Sequence, residues 1–299
     1  MRVVITGSNS YIGNSLQSYI GSIDDNVKVD QLDVVGDTWR EVDFSKYETV
    51  VHVAAIVHRK DTTNWDVYKQ VNIDLTVEIA EKAKSQGVKH FIFLSSMAVY
   101  GVEKSLLKDS SVISYQTEMN PVSMYGKSKY IAEQKLSEIK DENFIISIIR
   151  PPNVYGPGCK GGYISTYVNI VSKLPVIPEA FTSVKQSVLY IDNLSRFIYL
   201  IIVEKKAGVY TPQDDESITA VKLMEYISEA LGRKKKTSRI LGLFANFLSF
   251  LPIVKKGFGG VSYDREISHQ DDLNYLVVPC KEGIKRTVLY GAKYNHSNI

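Results

Sequence analysis

Tyr125 and Lys129, in the stretch "SMYGKSK" at 123–129, stand four residues apart. On a helix that spacing puts both side chains on one face. A phenol beside an ammonium group is a workable acid–base pair for a substrate hydroxyl. Free tyrosine ionises near pH ~10, and a neighbouring cation favours the phenolate and lowers that value. The same spacing also describes two long side chains on the outside of a helix, so the rest of the chain has to decide.

A second chemical feature lies at the N-terminus. "TGSNSYIG" (6–13) follows the apolar run "RVVIT" and opens a helical pattern. Gly7 and Gly13 hold two places of a G-x-x-G-x-x-G loop, and Ser10 stands at the middle one, with Tyr11 and Ile12 completing the turn into the helix. Such a loop provides a tight turn, close backbone approach to a pyrophosphate and a helix N-terminus aimed at it. Ser10 is small and able to donate a hydrogen bond. Asp33, twenty residues past Gly13 and after a second strand pattern, is placed to bind the ribose hydroxyls of an adenosine. Asp30 competes for that role. No basic residue follows Asp33 directly, which favours NAD over NADP, although Arg40 keeps NADP open.

The elements that must position these residues alternate. Strands are expected at 2–6, 26–34, 49–55, 88–96 and 143–150, and helices after the glycine loop, at 71–87 and at 123–140. Gly87 is placed to end the first of the latter two. This β-α-β order predicts an α/β fold: a Rossmann-like doubly wound parallel sheet with a smaller C-terminal substrate-binding lobe. The expected division is a dinucleotide domain over 1–155 with a return at 186–204, and a substrate lobe over 156–185 and 205–299.

Composition narrows the class. The chain has 299 residues, 44% hydrophobic and 23% charged, the balance of a globular protein. A net charge of +3 without a long basic run gives no nucleic-acid surface. Cys159 and Cys280 are far apart and imply neither a disulfide framework nor a zinc site. "MRVVITG" enters a strand directly, so a cytoplasmic protein is expected. The apolar stretch 240–254 is too short to span a bilayer. It is expected to pack as a helix on the second lobe; the alternative, given the flanking "RKKK" and Lys255–Lys256, is an interfacial helix in peripheral contact with anionic lipid.

Together these motifs resemble the extended short-chain dehydrogenase/reductases, in particular the NAD-dependent sugar-nucleotide epimerase/dehydratase group. The likeness runs along most of the chain. It implies that Asp43 and Phe44 in "VDFSKYETVVHVAA" sit beside adenine, that Ala54 in the same segment lines the cofactor, and that Asn72 braces the active-site helix while belonging to the cofactor site. It makes Ser96, five residues before the glycine of "VYG", the catalytic hydroxyl beside Tyr125 and Lys129, with Ser95 facing the other side. Lys129 would also hold the nicotinamide ribose. Asn153 in "RPPNVYGPG" would touch the substrate phosphates. The family's usual phosphate-binding arginine is replaced by Gln186, with Lys185 beside it. Ser262 aligns with the position that gates the sugar's 2-substituent, and a small residue there favours N-acetylated sugars.

The resemblance also separates reactions. A 4,6-dehydratase carries an Asp–Glu pair after the catalytic hydroxyl; Met97 and Ala98 stand there, and neither moves a proton. Met97 would instead line the substrate site. A UDP-sugar 4-epimerase remains, with a 4-ketoreductase of an N-acetylated 4-keto-6-deoxy sugar as the alternative and a non-catalytic dinucleotide sensor as a lesser one. Relatives pair through two helices per subunit, so a homodimer through 71–86 and 125–140 is expected.

Overall fold

The computed structural model describes residues 1–57, 64–109, 111–159, 162–268 and 273–296. Six parallel strands form the central sheet: β1 (Arg2–Thr6), β2 (Lys28–Leu32), β3 (Thr49–His52), β4 (His90–Leu94), β5 (Ile145–Ile149) and β6 (Gly208–Tyr210). Their spatial order is β2-β1-β3-β4-β5-β6. The order reverses between β1 and β3, and the crevice outside their carboxyl ends is where ligands of such sheets bind.

The near-continuous apolar strands bury both faces, as a parallel sheet covered on both sides requires. Val3, Ile5, Val51, Ile92 and Ile149 face one side, against helices α1 (Tyr11–Ile23) and α4 (Ile191–Glu204). Their neighbours Val4, Val50, Phe91, Phe93 and Ile148 face the other, against α2 (Leu75–Ser85) and α3 (Met124–Ile139). One-residue alternation thus splits the apolar residues between two cores. The expected helix at 71–87 is longer than its pattern suggests. It begins at Trp65 and passes through a π-helical segment, Lys69–Asp74, before α2. Gly87 ends it with a φ of +86°.

The expected return to the sheet is corrected in part. α4 does return, packing on α1 through Leu194, Phe197, Ile198 and Ile201. Strand 188–190 does not join the main sheet; it pairs in parallel with Asn153–Tyr155. The sheet position beside β5 is taken instead by β6, whose Tyr210 packs edge-on against Phe197 at 5.6 Å. A separate hydrophobic core lies in the C-terminal part, around Tyr155, Tyr190 and the helices Tyr163–Lys173, Ala220–Ala230 and Cys280–His296.

The stretch 240–254 also departs from its expected reading. It is not one helix packed on the second lobe but two short ones, α5 (Arg239–Phe247) and α6 (Pro252–Phe258). Most of their large apolar side chains face outward.

Candidate active site

The glycine loop sits at the switch point. Gly7 has a φ of +90°, and a Cβ there would come within 3.0 Å of the Ala54 backbone. Only glycine allows the β1 turn and the loop after β3 to approach so closely. A Cβ on Gly13 would meet Ser10 Oγ at 2.6 Å. Ser10 Oγ accepts from the Gly13 amide at 3.1 Å and so caps α1. This uses one of the amides that open the helix, whereas the sequence reading cast Ser10 as a donor. Ile12 packs between two cores. The Tyr11 hydroxyl is buried without a hydrogen-bond partner, next to Gly156. A Gly7 turn, an α1 N-terminus and an orphaned hydroxyl fit the pyrophosphate end of a dinucleotide.

Ser96, Tyr125 and Lys129 converge at the end of β4. Ser123 caps α3 by accepting from the Gly126 amide at 3.0 Å, which fixes Tyr125 in the first turn. A Cβ on Gly126 would lie 2.4 Å from the Ala98 carbonyl oxygen, so this glycine seats the helix directly on the 97–100 turn. Ser96 caps that turn, its Oγ accepting from the Ala98 amide at 3.1 Å. The Tyr125 phenol lies beside the Ser96 hydroxyl, which favours its ionised form.

Lys129 is 1% exposed and donates to the Leu94 carbonyl at 2.7 Å, with its ammonium 4.4 Å from the centre of the Phe93 ring. Burial lowers its pKa to about 7, with Glu133 acting in the opposite direction. Burial raises Tyr125 to about 12, and the Ser96 hydroxyl opposes it. In the protein alone, desolvation is the dominant influence on the phenol.

Asn72 lies in the π-helical segment, a feature that often marks functional sites. Its Oδ1 accepts from the Ile56 amide at 2.8 Å, and its Nδ2 donates to the Ile56 carbonyl and to Ser128 Oγ, each at 2.9 Å. It ties the loop after β3 to α3. Because it is fully buried with its amide so committed, it positions the site and does not contact a cofactor, a correction to its place in the cofactor set.

Sequence reading missed a buried network below these residues. Arg150 Nε and Nη2 donate to the two Glu133 oxygens at 3.0 and 2.5 Å, and Nη1 donates to the Tyr100 hydroxyl at 2.9 Å. Ser95, which faces away from the site as strand alternation implied, donates to the same carboxylate. The signal was present: Glu133 is four residues past Lys129 on the same helix face.

The remaining site residues divide. Asp33 is exposed at the end of β2, its Oδ1 accepting from the Val35 amide at 2.9 Å. Asp30 Oδ2 accepts from Arg2 at 2.8 Å and from the Tyr47 hydroxyl at 2.9 Å. Asp43 is exposed, whereas Phe44 is wholly buried and its amide is held by Gln86 at 2.6 Å. Phe44 is thus a core residue rather than an adenine neighbour. Asn153 is exposed, and Met97 lies half-buried in the turn after Ser96.

A cavity of about 610 Å³ is lined by Lys185, Ser262, Lys222 and Arg265. Gln186 is not in it. Its Nε2 donates to the Ser187 and Val261 carbonyls at 3.0 and 2.9 Å, and it is 3% exposed, so it braces the strand that carries Ser262. Tyr125 and Ser96 do not line this cavity either. Tyr263, on its wall, packs in one cluster with Met97, Val99 and Tyr100, which lie between it and Ser96. The "DDLNY" anchor used to align Ser262 begins at Asp271 and Asp272, outside the described residues. Among the described residues no cluster of His, Cys, Asp or Glu is set to hold a metal.

Comparison with known proteins adds to this geometry. The profile of the "NAD dependent epimerase/dehydratase family" matches residues 3–211. The UDP-glucose 4-epimerase of Vibrio cholerae is 32% identical over 238 residues, 77% of this chain and 71% of that protein. The UDP-2-acetamido-2,6-beta-L-arabino-hexul-4-ose reductase of Pseudomonas aeruginosa is 27% identical over 272 residues, 84% of this chain and 65% of that one. In fold, the chain is similar to the UDP-glucuronic acid 4-epimerase from Bacillus cereus in complex with NAD: TM-score 0.70, 18% identity, covering 98% and 99% of the two chains.

Proposed function

The chain belongs to the NAD dependent epimerase/dehydratase family, and from that premise we propose that it is a 4-epimerase of a UDP-hexose, with an N-acetylated hexose as the preferred substrate. The observation that carries this reading is the convergence of Ser96, Tyr125 and buried Lys129, one helical turn on from Tyr125, at the end of the strand beside the glycine-loop crevice.

Gly7, the α1 N-terminus and Asp33 hold NAD in this reading, with Ala54 against Gly7 and Asp43 at the adenine end. NAD held there supplies the hydride acceptor and, when oxidised, a positive ring that favours the ionised phenol. Tyr125 takes the proton from the C4 hydroxyl at its phenolic oxygen and returns one at the end of the cycle. Ser96 hydrogen-bonds the reacting oxygen. Lys129, released from the Leu94 carbonyl, holds the ribose. Met97 and Ala98 offer no acid or base, so water is not eliminated. Asn153 and Lys185 meet the diphosphate, Lys185 as a point charge rather than a fork.

The second reading, a 4-ketoreductase, is favoured by the breadth of the likeness to the Pseudomonas reductase, which extends over most of the C-terminal lobe. A homodimer through α2 and α3, which pack side by side, belongs to either reading and is tested by light scattering. Incubation with UDP-N-acetylglucosamine separates the two chemistries. The epimerase releases NAD on denaturation and yields UDP-N-acetylgalactosamine; a protein that consumes NADH only with a 4-keto sugar overturns the epimerase reading.

A further inference from the structure

Helix α5 carries Ile240, Leu243, Phe244 and Phe247 at i, i+3, i+4 and i+7, the spacing of one continuous helical stripe. In a globular protein such a stripe faces the core. Here these side chains are 70, 68, 63 and 77% exposed. The inward side of α5 is marked by Gly242, where a Cβ would lie 2.0 Å from the Glu179 carbonyl oxygen. The helix is therefore seated firmly, with its apolar face outward. The patch continues through Phe250 and Ile253, which are 72 and 76% exposed. A contiguous apolar surface of this kind marks an interaction site.

The charge around it identifies the occupant. Between Glu229 and Asp264 the chain has no acidic residue, while Arg233, Lys234, Lys235, Lys236, Arg239, Lys255 and Lys256 fall within that span. Lys235 is turned inward to the Val171 carbonyl at 2.6 Å, Arg239 pairs with Glu179 at 3.6 Å and Lys255 with Glu103 at 3.4 Å; Lys234, Lys236 and Lys256 are exposed. Neither helix is long enough to cross a bilayer: α5, at nine residues, runs roughly 14 Å. Short helices with aromatic and aliphatic side chains outward and cations at the rim lie in the headgroup plane of an anionic membrane.

We propose that α5 and α6 form a membrane-docking surface that seats the protein on anionic lipid. It is separate from the acid–base site. Through Gly259 and Gly260 it leads directly to the 610 Å³ cavity, whose wall includes Gly260, so docking sets that cavity beside the lipid surface.

Sedimentation with vesicles of phosphatidylglycerol and phosphatidylcholine in equal parts tests this. The wild type is expected to pellet at low salt, at least about tenfold more than with phosphatidylcholine alone, and less at high salt. The double variant Phe247→Ser, Phe250→Ser is expected to stay in solution while keeping its circular dichroism. Lys255→Gln, Lys256→Gln is expected to pellet less. The proposal is overturned if the wild type remains in solution with anionic vesicles, or if the Phe variant pellets equally. It is also overturned if the Phe substitutions instead convert a dimer to a monomer without vesicle binding, which would assign the patch to a second copy of this chain.

Discussion

At the scale of single residues, the Tyr125 phenol is the group proposed to move the proton. Tyr125→Phe removes the hydroxyl while keeping the ring. Turnover is expected to fall by about 10²–10⁴, with UDP-sugar and NAD binding unchanged by calorimetry; equal turnover would remove Tyr125 from the mechanism. The pair was legible in the sequence because its four-residue spacing on a helix came with the glycine loop and the serine segment in the order of a known family. Its electrostatics were not. Whether Lys129 lowers the phenol's pKa depends on how deeply both are buried and on where the ammonium points, and Lys129 points to Leu94. Phe44 and Gln186 were misplaced for a related reason: a motif fixes the order of residues along the chain, not which side chains the core absorbs.

Among elements, the site depends on how α3 sits on the 97–100 turn and on the β4 and β5 ends. Gly126→Ala places a methyl 2.4 Å from the Ala98 carbonyl oxygen, and the helix must shift to admit it. Turnover is expected to drop at least about tenfold, because small misplacements of reacting groups are costly. The unfolding free energy from urea melts should fall modestly, by about 1–3 kcal/mol as in other overpacked sites; undiminished turnover would mean the seating of α3 does not set the geometry.

Below that contact lies the Glu133–Arg150 pair. Removing one partner of a buried, hydrogen-bonded ion pair strands the other charge, at a cost of about 3–5 kcal/mol. Urea unfolding of Glu133→Ala should show a loss of that order, and a loss near that of an exposed pair, below about 1 kcal/mol, would contradict the buried network. The strands and helices of the sheet were readable from their apolar periods. The strand at 188–190 was not assignable, since three residues carry too little pattern to say which partner they pair with, and β6 was hidden for the same reason.

For the whole molecule, pH dependence reports on buried bases. His52 is fully buried, its ring nitrogens meeting Thr6 Oγ1 at 2.7 Å and Thr76 Oγ1 at 3.0 Å. Burial, and then Lys129, lower its pKa to about 3 from 6.5. Between those values the unfolded chain binds the proton and the folded one does not. The stability present above pH ~6.5 is therefore lost as pH falls through this window. His90, lowered to about 4, acts in the same direction. Asp214, raised to about 6 by burial, acts in the opposite one. The informative quantity is thus the difference between wild type and His52→Gln. The fall in thermal midpoint from about pH 7 to about pH 4 is expected to be shallower in the variant, and equal slopes would show that His52 does not stay neutral.

In the proposed cycle a sugar hydroxyl carbon gives up a hydride and takes the same one back, with Tyr125 handling the proton. UDP-N-acetylglucosamine carrying deuterium at C4 tests it in one reaction followed by mass spectrometry and NMR. The expected product is UDP-N-acetylgalactosamine that retains the deuterium at C4, formed by the wild type and almost absent with Tyr125→Phe. Epimer that has lost the label to solvent, or no epimer at all from protein loaded with NAD, would contradict it.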